Sequence, residues 1–141
     1  MRVMVFVKAS VDGGPAAPPS AEAFAEMDRF TDELAAAGVL VAAAGLKNDA
    51  LARRVLLDGD RRIVTDGPFT ETRELVAGFS IWQVRDIDEA MAWARRMPGA
   101  GTCRSEIEIR PFYEVEDLAD YLTPEELATP RSGERGRLGV A

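Results

Sequence analysis

The chain has 141 residues, 17 of them Lys or Arg and 24 Asp or Glu, for a net charge of -7 and no histidine. That length is one domain with enough interior for a real core, and the acidic balance excludes a nucleic-acid binder, which needs a basic stripe. The bases come instead as isolated pairs, Arg53-Arg54, Arg61-Arg62 and Arg95-Arg96, and read as solvated surface. The longest apolar run, Gly38 to Leu46, is too short to span a bilayer. The first eight residues are too short for a signal-peptide core, so no membrane partner is expected and cytoplasm is the expected location. The single cysteine, Cys103, excludes an internal disulfide framework and reads as a small buried hydrophobe.

In chain order, residues 2–8 read as a strand apolar on both faces, with Val3, Val5 and Val7 on one side and Met4 and Phe6 on the other. Such a strand is central, or its outer face meets a partner. Residues 9–19 are loop by composition. Ser20 is a helix N-cap, and Phe24, Met27, Phe30 and Leu34 recur at helical spacing up to Gly38, which predicts a helix over 20–37. Val39 to Leu46 is a second strand. The segments 53–57 and 61–65 flank Asp58-Gly59-Asp60 and predict a β-hairpin. Leu75 to Val84 is a strand interrupted by Gly78, a candidate bulge. Asp86 caps a second helix, with Glu89 completing a box; Ile87, Ala90, Met91, Ala94 and Met97 form its apolar face, and Pro98-Gly99 stops it. Residues 105–110 alternate as a last strand, with Pro111 at its end or at a sheet edge.

The order β-α-β, hairpin, β-α-β predicts an α+β fold: a ferredoxin-like split βαβ domain with an inserted β-hairpin over 1–112. Both helices are expected on one sheet face. The other face keeps apolar side chains, and a second copy packed sheet to sheet, a homodimer, is the expected cover. Residues 113–128 form an acidic extension that docks on the domain or its partner, and 129–141 read as a disordered tail. The acids Glu114, Glu116 and Asp117 read as a solvated face. With no histidine and one cysteine, no metal, no cofactor and no Ser-His or Cys-His nucleophile pair is expected.

The segment Asp66-Gly67-Pro68-Phe69 followed by Glu71-Thr72-Arg73-Glu74, together with Gly45-Leu46, Gly78-Phe79 and the run Glu106 to Pro111, resembles the DGPF branch of the YCII-related proteins over roughly residues 2–128. The resemblance implies a ferredoxin-like domain that dimerises into an α+β barrel, with a cleft between the open sheet face and nearby loops. Distant relatives act on chlorinated lactones, and the founding branch carries a His-Asp pair. This chain departs from that pattern, since Lys47-Asn48 stands where related sequences carry His-Pro.

The candidate ligand-binding residues are Lys8, Lys47, Asp66, Phe69, Arg73 and Trp82. Asp66 either satisfies its own turn or stands at a cleft mouth as general base or polar anchor. Phe69 is a core or cleft-wall aromatic. Arg73 pairs with an acid or grips a ligand carboxylate bidentately. Trp82 is dimer core or a ligand platform. Lys8, Lys47 and Arg73 are basic, so a pocket among residues 8–12, 46–49 and 66–74 would take an anionic small molecule. Two functions are expected: a small-molecule-binding or regulatory accessory protein without classical catalytic groups, or an enzyme on small organic acids or lactones with Asp66 as base and Arg73 as anion anchor.

Overall fold

A computed structural model describes residues 1–10, 20–47, 49–69, 74–99, 104–114, 117 and 120–125. Six strands and two α-helices follow in the order β1 (Arg2–Ser10), α1 (Ala21–Ala36), β2 (Leu40–Gly45), a short 3-10 turn (Asp49–Leu51), β3 (Arg53–Asp58), β4 (Arg61–Asp66), β5 (Glu74–Gln83), α2 (Ile87–Ala94) and β6 (Ser105–Pro111). Four strands form one antiparallel sheet in the order β2-β5-β1-β6, and β3 and β4 form a separate two-stranded sheet. This mixed α+β arrangement, with two strand-helix-strand units interleaved in one antiparallel sheet, is compatible with a ferredoxin-like fold. β1 is central, as its two apolar faces require. β6 is an edge strand, which is where Pro111, lacking an N–H, is tolerated.

The helix ends follow their sequence signals closely. Ser20 Oγ accepts from the Ala23 N–H at 3.1 Å. At the other end of α1, Gly38 takes φ +69°, its N–H donates to Ala35 O (3.0 Å), and the Val39 N–H donates to Leu34 O (2.9 Å). That pair of bonds is a Schellman motif, and its apolar clasp is Leu34 with Val39, both buried. Asp86 Oδ1 accepts from the Glu89 N–H (2.8 Å), while Glu89 Oε2 reaches back to the N–H of Arg85 (2.7 Å), one residue before the cap. α2 ends at Ala94, short of Met97, and Ile87 and Met91 remain exposed at its surface.

The core lies between the four-stranded sheet and the two helices. Val3 and Val5 from β1, Trp82 from β5, Phe30 and Leu34 from α1 and Ala90 from α2 are buried together, with Ile107, Ile109 and Trp93 packed against them. Phe30 sits edge-on to both Trp82 (6.4 Å between centroids) and Trp93 (6.3 Å). Each large apolar side chain removed from water here contributes roughly 1.5–3 kcal/mol, so this cluster supplies most of the cohesion between helices and sheet. Phe24, at the start of the predicted α1 stripe, is exposed instead.

Two irregularities set the side-chain parity of the sheet. The β1–β5 register jumps from Val7↔Gly78 to Lys8↔Val76, leaving Ala77 as an extra residue, and the β2–β5 register jumps between Leu40 and Ala42. The bulge therefore sits one residue before Gly78. Gly78 has a second reason to be glycine: a Cβ there would lie 3.0 Å from the backbone oxygen of Ala44 on β2. Replacing Gly78 by Val should force β2 away from β5 and destabilise the fold by about 1–3 kcal/mol. Chemical denaturation should show this as a lower midpoint, while the same exchange at exposed, open Gly99 should leave the midpoint almost unchanged.

Candidate functional site

The sheet face away from the helices is a strip of cross-strand rows. Ala44, Phe79, Phe6 and Glu108 stand opposite one another across β2, β5, β1 and β6; Ala42, Ile81, Met4 and Arg110 form the next row; Val76, Lys8 and Glu106 form a third. Three strands thus present apolar side chains and the β6 edge presents charge. Ile81 is buried and Met4, Phe6 and Phe79 are half-buried.

Lys8 belongs to this face. Its ammonium is ion-paired with Glu108 and lies 3.4 Å from Glu106 Oε1, and its side chain is only 18% exposed. The Lys8 hydrogen bond holds the Glu108 carboxyl below its ordinary value, against the opposing effect of burial. The cation is therefore matched by β6 carboxylates on its own sheet.

Asp66 ends β4. Its carboxylate is 69% exposed and accepts an ion pair from Arg53 Nε at 2.8 Å, directly across the hairpin. Neither of its sequence-based roles, turn acceptor or cleft carboxylate, includes this partner. The Gly67–Pro68 peptide is cis, and among the described residues only Gly38 and Gly59 have positive φ. The Gly67 N–H donates to Ala52 O (2.9 Å), and half-buried Phe69 carries the Arg54 guanidinium 3.6 Å from its ring centroid. Residues 66, 67 and 69 of the DGPF segment thus each grip one residue of 52–54, at the foot of the hairpin.

Trp82 requires a correction. It pairs with Val3 and points to the helix side, where it is fully buried, so it lies in the core of the single chain and not on the open face. Its neighbours Phe79 and Ile81, by contrast, do lie on the open face. Its Nε1 has no hydrogen-bond partner among the described residues. Lys47 is exposed beyond β2. Arg73, Asn48 and Cys103 lie outside the described residues. Lys8 and Asp66 are thus turned to different partners, β6 and β3 respectively. Among the described residues, no group of three or more His, Cys, Asp or Glu is placed to hold a metal ion, and no helix is long and apolar enough to cross a membrane.

Sequence reading missed one polar contact that shapes the open face. Glu114, expected in a solvated acidic face, accepts from Arg2 Nε (3.1 Å) and Nη2 (2.9 Å) and from the Arg2 N–H (3.2 Å). The Phe112 N–H extends the β1–β6 ladder to Arg2 O (3.0 Å), and Arg2 also lies over the Phe112 ring at 5.5 Å. The only hint in the sequence is an arginine at the start of a central strand and an acid just past the end of its neighbour. The Arg2 hydrogen bonds hold the Glu114 carboxyl below its ordinary value, with burial acting the other way. A depressed carboxyl stabilises the fold above the unfolded-state pKa, about 4.3, and that contribution fades as pH falls through the lower folded value. The two side chains are 36% and 32% exposed, so solvent screens the pair. Glu114→Gln should cost about 1 kcal/mol at pH 7, and the difference from wild type should close below pH 4 in urea titrations taken across the acid range.

A family model for the YCII-related domain matches residues 1–115. The chain is 40% identical over 50 residues to an uncharacterized protein, R00369, of Rhizobium meliloti (strain 1021); the matched stretch is 36% of this chain and 40% of that one. The chain thus spans less than half of that relative's length. The family match covers both strand-helix-strand units, the hairpin and the Glu114 anchor, and on that extent the chain belongs to the YCII-related family.

Proposed function

We propose that the protein acts as a homodimer joined through the open sheet face, as a dimeric α+β barrel of the DGPF branch, and serves as a small-molecule-binding or regulatory accessory protein. The dimer reading is supported by Met4, Phe6 and Phe79, which are apolar and only half-buried although both helices lie on the opposite face. Burying such side chains against a second copy is favourable by roughly 1.5–3 kcal/mol each. The accessory reading is carried by one observation: the two candidate polar groups whose geometry is described, Lys8 and Asp66, are engaged by carboxylates and by a guanidinium of the same chain. An exposed carboxylate paired with Arg53 favours an anchoring role over proton abstraction. Lys47, exposed beyond the end of β2, makes a small anion the expected ligand.

Light scattering at micromolar concentration should give the mass of a dimer, and Phe6→Arg should give a monomer that keeps its secondary structure. A monomeric wild-type chain would overturn the dimer reading. Ligand binding is tested by thermal shift across small carboxylates and lactones, where a ligand at about 100 times its Kd adds roughly 2.7 kcal/mol. Asp66→Asn should retain that shift. Turnover by the wild type that disappears in Asp66→Asn with the shift intact would favour an enzyme acting on small acids or lactones.

A further inference from the structure

The end of the sheet at which β1 begins is closed by a side chain. The Phe112 N–H donates to Arg2 O (3.0 Å), while the Arg2 N–H donates to Glu114 Oε1 (3.2 Å). The same carboxylate accepts from the Arg2 guanidinium through Nε (3.1 Å) and Nη2 (2.9 Å). Three bonds beside the last rung thus converge on one titratable group. Arg2 stands two residues before Met4 on the open face, and its guanidinium lies 5.5 Å from the Phe112 ring centroid. Beyond the clasp the chain turns: the Glu114 N–H donates to Asp117 Oδ2 (2.8 Å) and the Asp117 N–H to Glu114 O (3.1 Å).

This rung lies past the end of β6 at Pro111, and the ends of elements open at a lower free energy than the middle of a sheet. Among the described residues, the charged groups around Glu114 are Arg2 and the Met1 ammonium at the start of β1, and Asp117 in its own turn. Both cations favour the ionised carboxyl. Protonation weakens all three bonds to Arg2 at once, because charge-assisted hydrogen bonds are about twice as strong as neutral ones. The Lys8–Glu108 pair differs. Glu108 lies inside the β1–β6 ladder and bonds Lys8 through side chains, so its protonation releases no backbone.

We propose that the Arg2–Glu114 clasp is an acid-operated latch: protonation of Glu114 frees the chain around Phe112 and Glu114 from β1 while the four-stranded sheet stays folded. The latch is closed at neutral pH and opens as pH falls through a folded-state value below the ordinary carboxyl value of about 4.3. Opened, Arg2 loses its carboxylate on the open face. The inference is independent of the dimer reading.

Hydrogen exchange followed residue by residue tests it, after correction for the intrinsic pH dependence of amide exchange. Between about pH 7 and about pH 3 the Phe112 amide should lose about fivefold of its protection, the weight of a screened charge-assisted contact. The amides of Val5 and Ile81, in the middle of the same sheet, should keep theirs. In Glu114→Gln the Phe112 amide should already be about fivefold less protected at neutral pH and should show no further loss in acid. Asp117→Asn and Glu108→Gln should each leave the wild-type acid response of Phe112 in place. Loss of protection at Val5 and Ile81 together with Phe112 means global acid unfolding and overturns the latch. An unchanged Phe112 amide overturns it, and so does an acid response that survives in Glu114→Gln or disappears in Asp117→Asn or Glu108→Gln.

Discussion

The alternation of side chains along β1 is the constraint on which the rest of the molecule depends. A central strand with Val3 and Val5 on one side and Met4 and Phe6 on the other must be covered twice. The two helices cover one side, because Phe30, Leu34 and Ala90 meet the row that Val3 and Trp82 begin. With both helices spent on that side, Phe6 and Phe79 on the other stay half-buried. The asymmetry of the sheet, not any individual residue, is what motivates the proposed dimer.

Charge on the open face has a different weight. The Lys8 ammonium is shared between two β6 carboxylates, and Arg2 is taken by Glu114. Partly exposed pairs of this kind contribute about 0–1 kcal/mol each, less than a single apolar side chain moved from water into an interface. Such pairs therefore fix direction, and most of the cohesion comes from apolar burial. By tying the segment after β6 to the start of β1, the Arg2–Glu114 contact also fixes where the acidic stretch leaves the sheet, which a solvated acidic face would not do.

Most of the fold is legible from local chemistry. Ser20, Gly38 and Asp86 mark helix ends because each offers a backbone solution that few other residues can, and the Asp58-Gly59-Asp60 turn closes its hairpin with Gly59 at φ +56°. The parts that were not legible depend on long-range register. Sequence reading makes Trp82 dimer core or a ligand platform, but alternation places it with Val3 under the helices, a parity that only the pairing of β1 with β5 decides. The Arg2–Glu114 contact joins residues at opposite ends of the sequence and leaves no periodic trace. The candidate site is legible only in its residue types. Which carboxylate faces which cation depends on cross-strand pairing, as Asp66 with Arg53 and Lys8 with Glu108 show.

The DGPF segment, the most distinctive stretch of the sequence, is better understood as a fastening than as a reactive loop. Asp66 is bound to Arg53, the Gly67 N–H to Ala52 O, and Phe69 lies under Arg54, so the segment closes over the three residues at which the hairpin begins. The hairpin is its own small sheet, separate from the four-stranded one, and this foot helps to set its direction. An ion pair alone leaves it free to swing, since exposed pairs are weak. A backbone hydrogen bond and a cation stacked on a ring, added to that pair within a few residues, fix it far better. The motif and the hairpin then form one unit, with Asp66, Gly67 and Phe69 fastened to Arg53, Ala52 and Arg54 at its foot.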